Sequence, residues 1–296
     1  MFLKRLCSNK PEWIPFPVSV VGNFYRGNLV GQPKSSIRPM EKFELKNIES
    51  ALERLVAEDF QGTLVGGHAV NFWAEIYKKP TLAWSELVPY TSEDIDFLGG
   101  RVEALLCKKL FGGKSNLNDG TDPSPQAGVI LAPIAGRIVR FDIITSIIGV
   151  NTSSAQRDAL KLEGSLHLGG ALKVLHPIHC LFGKTAALAQ LPQGGRQDLK
   201  HLKLAVLIVH AFLMERLGQA RPLLNTIEEI FDLARNELGL RVWHRHGVEI
   251  EKALPLEAIA AQSDERLQKF AEVRLPQLDA QLKETRQRYL ESLLES

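Results

Sequence analysis

The spacing of apolar residues changes along this chain at about residue 177. Up to that point, short apolar runs bounded by glycine and proline alternate with segments whose apolar residues recur every three or four positions, which predicts strands alternating with helices. Beyond it the helical spacing continues almost to the end, which predicts a region built of helices. We therefore divide the chain into an N-terminal arm at 1–40, a core at 41–176 and a helical C-terminal region at 177–296.

Individual elements follow from the same spacing. The predicted strands are Thr63–Val65, Asp94–Leu98, 129–132, Arg137–Ile144 and 172–175. The predicted helices are 41–58, 68–77, 102–111, 179–191, 196–217, 223–238 and 264–294, the last with a kink at Pro276. The stretch 80–92 and the polar stretch 112–127 are predicted to be loops, and 151–170 is predicted to be a connector.

Two aspartates lie one residue apart in the predicted strand Asp94–Leu98. Alternate residues of a strand point to the same face, so Asp94 and Asp96 point together while Ile95 and Phe97 face the core. Carboxylates aimed at one point repel each other unless a cation lies between them. Hard divalent cations such as Mg²⁺ or Mn²⁺ take oxygen ligands of this kind, so the spacing predicts a metal site.

A pair of glycines, Gly66 and Gly67, separates the predicted strand Thr63–Val65 from the helix that follows it. Glycines at the start of a helix let a phosphate group approach the backbone N–H groups of the first turn. A phosphate-binding turn combined with metal-binding carboxylates indicates phosphoryl or nucleotidyl transfer.

The order of these two motifs resembles the signature of the DNA polymerase beta-like nucleotidyltransferase superfamily. The amino-acid sequence of the two motifs is most similar to the minimal bacterial branch that includes the AbiEii-type nucleotidyltransferase toxins. The residues that carry the resemblance are Gly66-Gly67-His68-Ala69-Val70 and Glu93-Asp94-Ile95-Asp96-Phe97-Leu98. It extends over residues 45–205 and implies an α/β (α+β) fold, in which a small mixed sheet is flanked by helices and followed by the helical C-terminal part. It also implies a bound nucleoside triphosphate and two divalent metal ions.

The superfamily places a third carboxylate on a strand after the paired aspartates, and Asp142 matches that place in order and context. A carboxylate buried in an apolar strand without a partner costs several kcal/mol, so Asp142 requires a metal, a cation or an exposed strand end. The alternative is an ion pair with Arg137 or Arg140 near the end of the strand.

Four further residues enter through the resemblance. Lys184 lies in a segment similar to the family helix whose lysine precedes an alanine-rich turn, and a triphosphate would supply its charge partner. Asp198 matches the first acid of a downstream family pattern, whereas His201 stands where the second acid is expected. The alternative for Asp198 is an ion pair within its own helix, with Arg196 or Lys200. His68 replaces a serine common in the family; it either donates to a phosphate or is merely exposed.

Composition adds weaker constraints. The formal net charge of +2 is too small to argue for nucleic-acid binding by itself. The 3 cysteines lack metal-ligand spacing and fit a reducing cytoplasm. No apolar run reaches the length of a membrane span, and prolines interrupt the basic N-terminus, so we expect no signal peptide and a cytoplasmic protein without a membrane partner.

These observations lead to one expected function and one alternative. The expected reaction moves a nucleoside monophosphate from a nucleoside triphosphate to a hydroxyl of RNA (tRNA-like) or protein. By resemblance, the protein would act as the toxin of a toxin–antitoxin pair, with an antitoxin protein as partner. The alternative is a non-catalytic nucleotide- or partner-binding protein on the same fold. A binuclear phosphodiesterase is disfavoured because the chain lacks clusters of histidine and aspartate of the required kind.

Overall fold

A mixed sheet organises the first part of the chain in this computed structural model, which describes residues 41–121, 123–163 and 171–295. The predicted arm at 1–40 lies outside the described residues. Seven strands of the described part form the sheet in the order β5-β6-β7-β4-β2-β9-β8. Its strands are β2 (Thr63–Val65), β4 (Asp94–Leu98), β5 (Lys114–Leu117), β6 (Gln126–Ile134), β7 (Arg137–Ile144), β8 (Leu160–Glu163) and β9 (Ala171–Val174).

The centre of the sheet combines both strand directions. Strand β2 runs parallel to β9 and antiparallel to β4, while β4 runs parallel to β7. The register places Asp96 directly opposite Val65 on one side and opposite Asp142 on the other. A separate antiparallel pair joins β1 (Phe43–Glu44) to β3 (Thr91–Ser92), just ahead of β4. The C-terminal end of β2 and the N-terminal end of β4 therefore lie side by side in the middle of the sheet.

Helices cover the sheet and make up the whole C-terminal part from Pro177 onward. Those of the first part are α1 (Glu49–Ala57), α2 (Gly66–Tyr77), α3 (Leu82–Ser85), α4 (Arg101–Phe111) and α5 (Thr152–Arg157). Those of the second part are α6 (Pro177–Gln190), α7 (Asp198–Met214), α8 (Ala220–Arg235), α9 (Glu237–His246), α10 (Leu256–Ala260), α11 (Glu265–Lys269) and α12 (Leu275–Leu294). The expected mixed α/β architecture with a helical C-terminal part is therefore confirmed.

Two hydrophobic clusters form the core of the described residues. The first lies around the sheet, where the rings of Phe111 and Phe141 stack with centroids 4.7 Å apart. The second lies among the C-terminal helices. Helices α6 and α7 belong to both, because Cys180 and Leu204 pack in the first cluster while Leu181 and Leu202 pack in the second. Burial on two sides explains why these two helices are apolar over most of their circumference.

Several predicted boundaries are corrected by the structure. The helix expected at 41–58 begins only at Glu49, because Phe43 and Glu44 pair with β3 instead. Lys114–Leu117, expected within the loop 112–127, is an edge strand stabilised by pairing with β6 rather than by its own composition. The loop expected at 80–92 contains α3 and β3, and the connector expected at 151–170 contains α5 and β8. The helix expected at 223–238 is α8, and a separate helix α9 follows it.

Near Pro276, where a kink is expected, the structure has a π-helical turn at Phe270–Arg274, immediately before α12. Proline has no backbone N–H, so the carbonyl of Glu272 loses its usual helical donor and the backbone adjusts one turn earlier. Within the described part of the chain, no helix is both long enough and apolar enough to cross a membrane.

Candidate functional site

Three carboxylates converge near the N-terminal end of β4, a central strand of the sheet. Asp94 and Asp96 share one face of β4 because the intervening Ile95 is fully buried in the core behind them. Asp142 joins them from the neighbouring strand β7, directly opposite Asp96. One oxygen from each of the three side chains lies within 4.8 Å of the other two. The alternation along β4 therefore places the paired acids together as expected, and the register of β7 adds the third.

The electrostatics of this cluster show that the carboxylates oppose one another's ionisation. Burial, followed by the charges of Asp94 and Asp142, raises the pKa of Asp96 well above its ordinary value, and the Lys184 and Arg140 cations only partly offset this. Burial also raises the pKa of Asp142, against the opposing effect of Arg140. Ionising these neighbouring carboxylates therefore costs free energy, and a bound cation would offset that cost.

Arg140 is a site residue that the sequence suggested only as an alternative partner of Asp142. Its Nε donates to Asp142 Oδ1 over 2.8 Å, so Asp142 both pairs with Arg140 and faces the other two acids. The two alternatives for Asp142 are therefore compatible. The signal in the sequence was the spacing, since Arg140 and Asp142 lie two residues apart and share a strand face.

The donor set suits a hard divalent cation. All three ligand atoms are carboxylate oxygens, the type that Mg²⁺ and Mn²⁺ bind. Asp142 is buried and Asp94 and Asp96 are partly exposed, so a cation could enter from the open side of the cluster. Asp94, Asp96 and Asp142 are the described residues that could hold such an ion together.

Gly66 forms the turn between β2 and α2 and lies against the acid cluster. Its φ is +65°, a conformation that residues with a side chain rarely adopt. A Cβ at this position would lie 2.7 Å from Asp96 Cγ and closer still to Oδ2. Helix α2 begins at Gly66 itself, two residues earlier than expected, so the N–H groups of its first turn lie next to the carboxylates. The start of α2 and the acid cluster are therefore adjacent.

Gly66→Ala is expected to lower the affinity for Mn²⁺ by roughly tenfold or more, because the new methyl group displaces the Asp96 carboxylate. Gly247→Ala is a matched control, since Gly247 has a φ of +64° with open space around it. Alanine at this position introduces backbone strain only, so the control should lose about 1–2 kcal/mol of unfolding free energy and retain its Mn²⁺ affinity. Titration of Mn²⁺ followed by electron paramagnetic resonance measures the first effect, and urea unfolding measures the second. Equal Mn²⁺ affinity in the two variants would contradict the close approach of Gly66 to Asp96.

Gly67 occupies a narrow space between two polar side chains. A Cβ on Gly67 would lie 2.7 Å from Cε1 of His201 and nearer still to Oγ of Ser92. Ser92 in turn places its Oγ 3.4 Å from Asp94 Oδ1. Both glycines thus allow the start of α2 to approach groups at the site edge. Ser92 was not singled out from the sequence, although its position two residues before Asp94 places it on the same side of the chain.

The His68 side chain is not on the open side of the site, which corrects the expectation that it faces the triphosphate. Its ring is fully buried and lies 4.8 Å from the ring of Phe43. Burial lowers the pKa of His68 to about 3, so the imidazole is neutral. Both ring nitrogens, and both side-chain polar atoms of Asn71 one turn later, have no hydrogen-bond partner among the described residues. Only the backbone N–H of His68 remains available to the first turn of α2.

His68→Leu is expected to raise the unfolding free energy by about 1–3 kcal/mol, because it removes two buried polar atoms that have no partner in the described part of the chain. The affinity for nucleoside triphosphate should stay within about threefold of the parent value. Urea unfolding and isothermal titration calorimetry measure the two quantities. His210→Leu serves as the control for a partly exposed histidine and should change stability by less than about 0.5 kcal/mol. A large loss of nucleotide affinity in His68→Leu would instead indicate that the His68 side chain contacts a phosphate in the parent.

Lys184 and Asp198 form a buried ion pair on the helical side of the site. The Lys184 Nζ donates to Asp198 Oδ1 over 3.0 Å, and the Arg196 Nε donates to Oδ2 over 2.5 Å. Burial by itself would raise the pKa of Asp198, but Lys184 and Arg196 outweigh it and lower the value to about 2. Of the two partners expected for an ion pair with Asp198, Arg196 contacts it from just before α7, whereas Lys200 contacts the Pro89 carbonyl instead. The Lys184 charge also favours ionisation of Asp96 and so opposes the rise in its pKa, which couples the ion pair electrostatically to the acid cluster.

Comparisons of this chain with protein-family models, with curated proteins and with solved structures give no match. The resemblance to the nucleotidyltransferase superfamily therefore rests on the motif residues of the sequence alone. The structure brings together Gly66, Gly67, Asp94, Asp96 and Asp142, with Lys184 and Asp198 beside them. It separates the His68 ring from this group.

Proposed function

We propose that this protein is a cytoplasmic, metal-dependent nucleotidyltransferase. The observation that carries the proposal is the convergence of three carboxylates within 4.8 Å, directly beside the glycine that starts α2. A cation site and a helix N-terminus in contact supply the two features that binding of a metal–triphosphate complex requires. The oxygen ligands make Mg²⁺ or Mn²⁺ the expected ion.

Each residue has a defined part in this proposal. Asp94, Asp96 and Asp142 would hold the metal ions, and bound metal would activate the attacking oxygen and stabilise the pyrophosphate leaving group. Gly66 and Gly67 allow the phosphates to approach the first-turn N–H groups of α2. The Lys184 ammonium has three donor hydrogens, and one is used by Asp198, so the others would be available to a phosphate oxygen bound beside it.

In the proposed reaction an acceptor hydroxyl attacks the α-phosphorus of the nucleoside triphosphate. A bond forms between the acceptor oxygen and the α-phosphorus, the bond from that phosphorus to the bridging oxygen of the β-phosphate breaks, and pyrophosphate leaves. The hydroxyl proton passes to solvent or to a carboxylate of the site. The acceptor would be RNA (tRNA-like) or protein. A toxin role with an antitoxin partner rests on the resemblance alone.

Transfer of label tests this function directly. The protein would be incubated with each nucleoside triphosphate, Mg²⁺ and either the RNA or the protein fraction of a cell extract. Label at the α-phosphate should appear in one fraction, whereas label at the γ-phosphate should not, because the γ-phosphate leaves with pyrophosphate. Asp279→Asn, a change at an exposed acid of α12, should transfer label as the parent does. A protein that binds the nucleotide but labels neither fraction would instead be a binding module.

A further inference from the structure

The start of α7 and the residue before it contact the segment that leads into strand β4, which carries Asp94 and Asp96. Lys200 Nζ donates to the carbonyl oxygen of Pro89, and Gln197 Nε2 lies 3.4 Å from the Thr91 hydroxyl. His201 Nε2 lies 3.1 Å from the carbonyl oxygen of Thr91. Gln197, which directly precedes α7, and two residues of the first helical turn thus contact Pro89 and Thr91, only a few residues before Asp94.

Of these three contacts, that of His201 is the buried one. The residue is 3% exposed, whereas Lys200 and Gln197 are partly exposed. Burial, helped by the nearby Lys184 cation, lowers the pKa of His201 well below its usual range, so the ring is neutral. A carbonyl oxygen can only accept a hydrogen bond, so the Nε2 atom must carry the ring proton and donate it to Thr91.

The contact continues from Thr91 to the metal-binding acids. The next residue, Ser92, is buried, and its hydroxyl donates to Asp94 Oδ1 over 3.4 Å. The imidazole of His201 also packs against Gly67, where an added Cβ would lie 2.7 Å from Cε1. His201 therefore touches both the segment that precedes Asp94 and the start of α2.

We propose that His201 is a positioning residue that holds the Thr91 carbonyl and thereby fixes the Ser92–Asp94 side of the metal site. This role rests on the metal site of the proposed function. An ionised aspartate, the residue that the resemblance expects at this place, has acceptors only and could not bond to the Thr91 carbonyl. Histidine supplies the donor that this arrangement needs.

Two substitutions separate the hydrogen bond from the volume of the ring. His201→Phe fills the space but has no donor, and His201→Gln retains an N–H that can reach the Thr91 carbonyl. Metal-positioning groups outside the ligand set typically change metal affinity by roughly ten- to a hundredfold. We expect His201→Phe to weaken Mn²⁺ binding by about that factor, and His201→Gln to stay within about threefold of the parent.

The measurement is Mn²⁺ affinity of the full chain by electron paramagnetic resonance, with circular dichroism as the check on folding. If His201→Phe binds Mn²⁺ as tightly as the parent, the positioning role is wrong. If both variants lose affinity equally, the hydrogen bond is not the cause and the role is again wrong. A parent that binds no Mn²⁺ overturns the metal site and this role together. A parent that binds Mn²⁺ but transfers no label overturns the proposed reaction, while the affinities still decide the role of His201.

A spectroscopic measurement on the parent covers the case in which His201→Phe does not fold. In ¹⁵N-labelled protein, the ring signal missing from the His201→Gln spectrum belongs to His201. It should show the Nε2–H tautomer, with slow exchange of that proton, and it should shift when Mg²⁺ is added. An Nδ1–H tautomer, or a signal unaffected by Mg²⁺ at saturation, would contradict the proposal.

Discussion

Replacing Asp96 with asparagine is expected to abolish nucleotidyl transfer while making the metal-free protein more stable. Asparagine retains the shape of the side chain but cannot carry the charge that a divalent cation requires. Loss of an electrostatic contact to the reacting phosphate typically lowers the rate by about a hundredfold or more. Nucleotide binding should fall less, because the turn at Gly66 and the Lys184 ammonium are unchanged.

The gain in stability has a defined pH dependence. The pKa of Asp96 is raised above 3.8 in the folded protein, so the folded state binds its proton more tightly than the unfolded state does. Asp96 therefore lowers the stability of the metal-free parent progressively as pH rises from about 3.8 through the raised pKa. The Asp96→Asn protein lacks this loss, so the two should differ little near pH 4 and most at neutral pH.

Urea unfolding in EDTA at several pH values measures this difference, and repetition with Mg²⁺ tests the metal. Mg²⁺ should stabilise the parent by mass action and leave Asp96→Asn nearly unchanged. Asp279→Asn is the control, and it should respond to Mg²⁺ as the parent does. An Asp96→Asn protein that is stabilised by Mg²⁺ as much as the parent would remove Asp96 from the metal site.

Replacing Lys184 with methionine should weaken binding of nucleoside triphosphate by roughly ten- to a hundredfold. A hydrogen bond between charged groups contributes about 1.5–3 kcal/mol, and methionine keeps the length of the stem while removing the ammonium. Calorimetric titration with a non-hydrolysable triphosphate measures the affinity. Lys203→Met, on the exposed face of α7, is the matched control and should bind as the parent does. Equal affinity in the two variants would exclude Lys184 from the phosphate site.

The same substitution should lower stability in a pH-dependent way. The pKa of Asp198 is lowered to about 2, so its ion pairs stabilise the fold above the ordinary value of 3.8, and this stabilisation is lost as pH falls towards 2. The full effect is about 2 kcal/mol, of which Lys184→Met should remove a part because Arg196 still contacts the carboxylate. Unfolding free energies at pH 7 and pH 2 measure it, and a difference that persists at pH 2 would contradict the ion pair as its cause.

The acid cluster shows how far the sequence leads. Alternation along a strand is a local property, so the common direction of Asp94 and Asp96 could be predicted from their spacing. The position of Asp142 depends on the register of β7 against β4, which joins residues far apart in the sequence. Periodicity does not contain that register, so Asp142 entered through the resemblance, and its contact with Arg140 remained one alternative of two.

The residues that were misplaced depend on tertiary contacts in the same way. His68 lies in the first turn of α2, where a side chain can face either solvent or core, and in the structure it faces the core and contacts Phe43. Edge strand β5 carries a polar sequence, and its backbone pairing with β6 rather than its side chains makes it a strand. His201 could be recognised as a departure from the family pattern, but its partner Thr91 lies on another element.

The double membership of α6 and α7 in the two hydrophobic clusters limits where this chain can be cut. A fragment ending at residue 176 would lose Lys184 and Asp198 and would uncover the apolar residues of the first cluster that pack on Cys180 and Leu204. A fragment beginning there would keep both helices with one apolar side bare. We therefore expect neither fragment to fold by itself. Loss of activity after deletion of the C-terminal helices should first be attributed to misfolding, and only then to loss of a separate module.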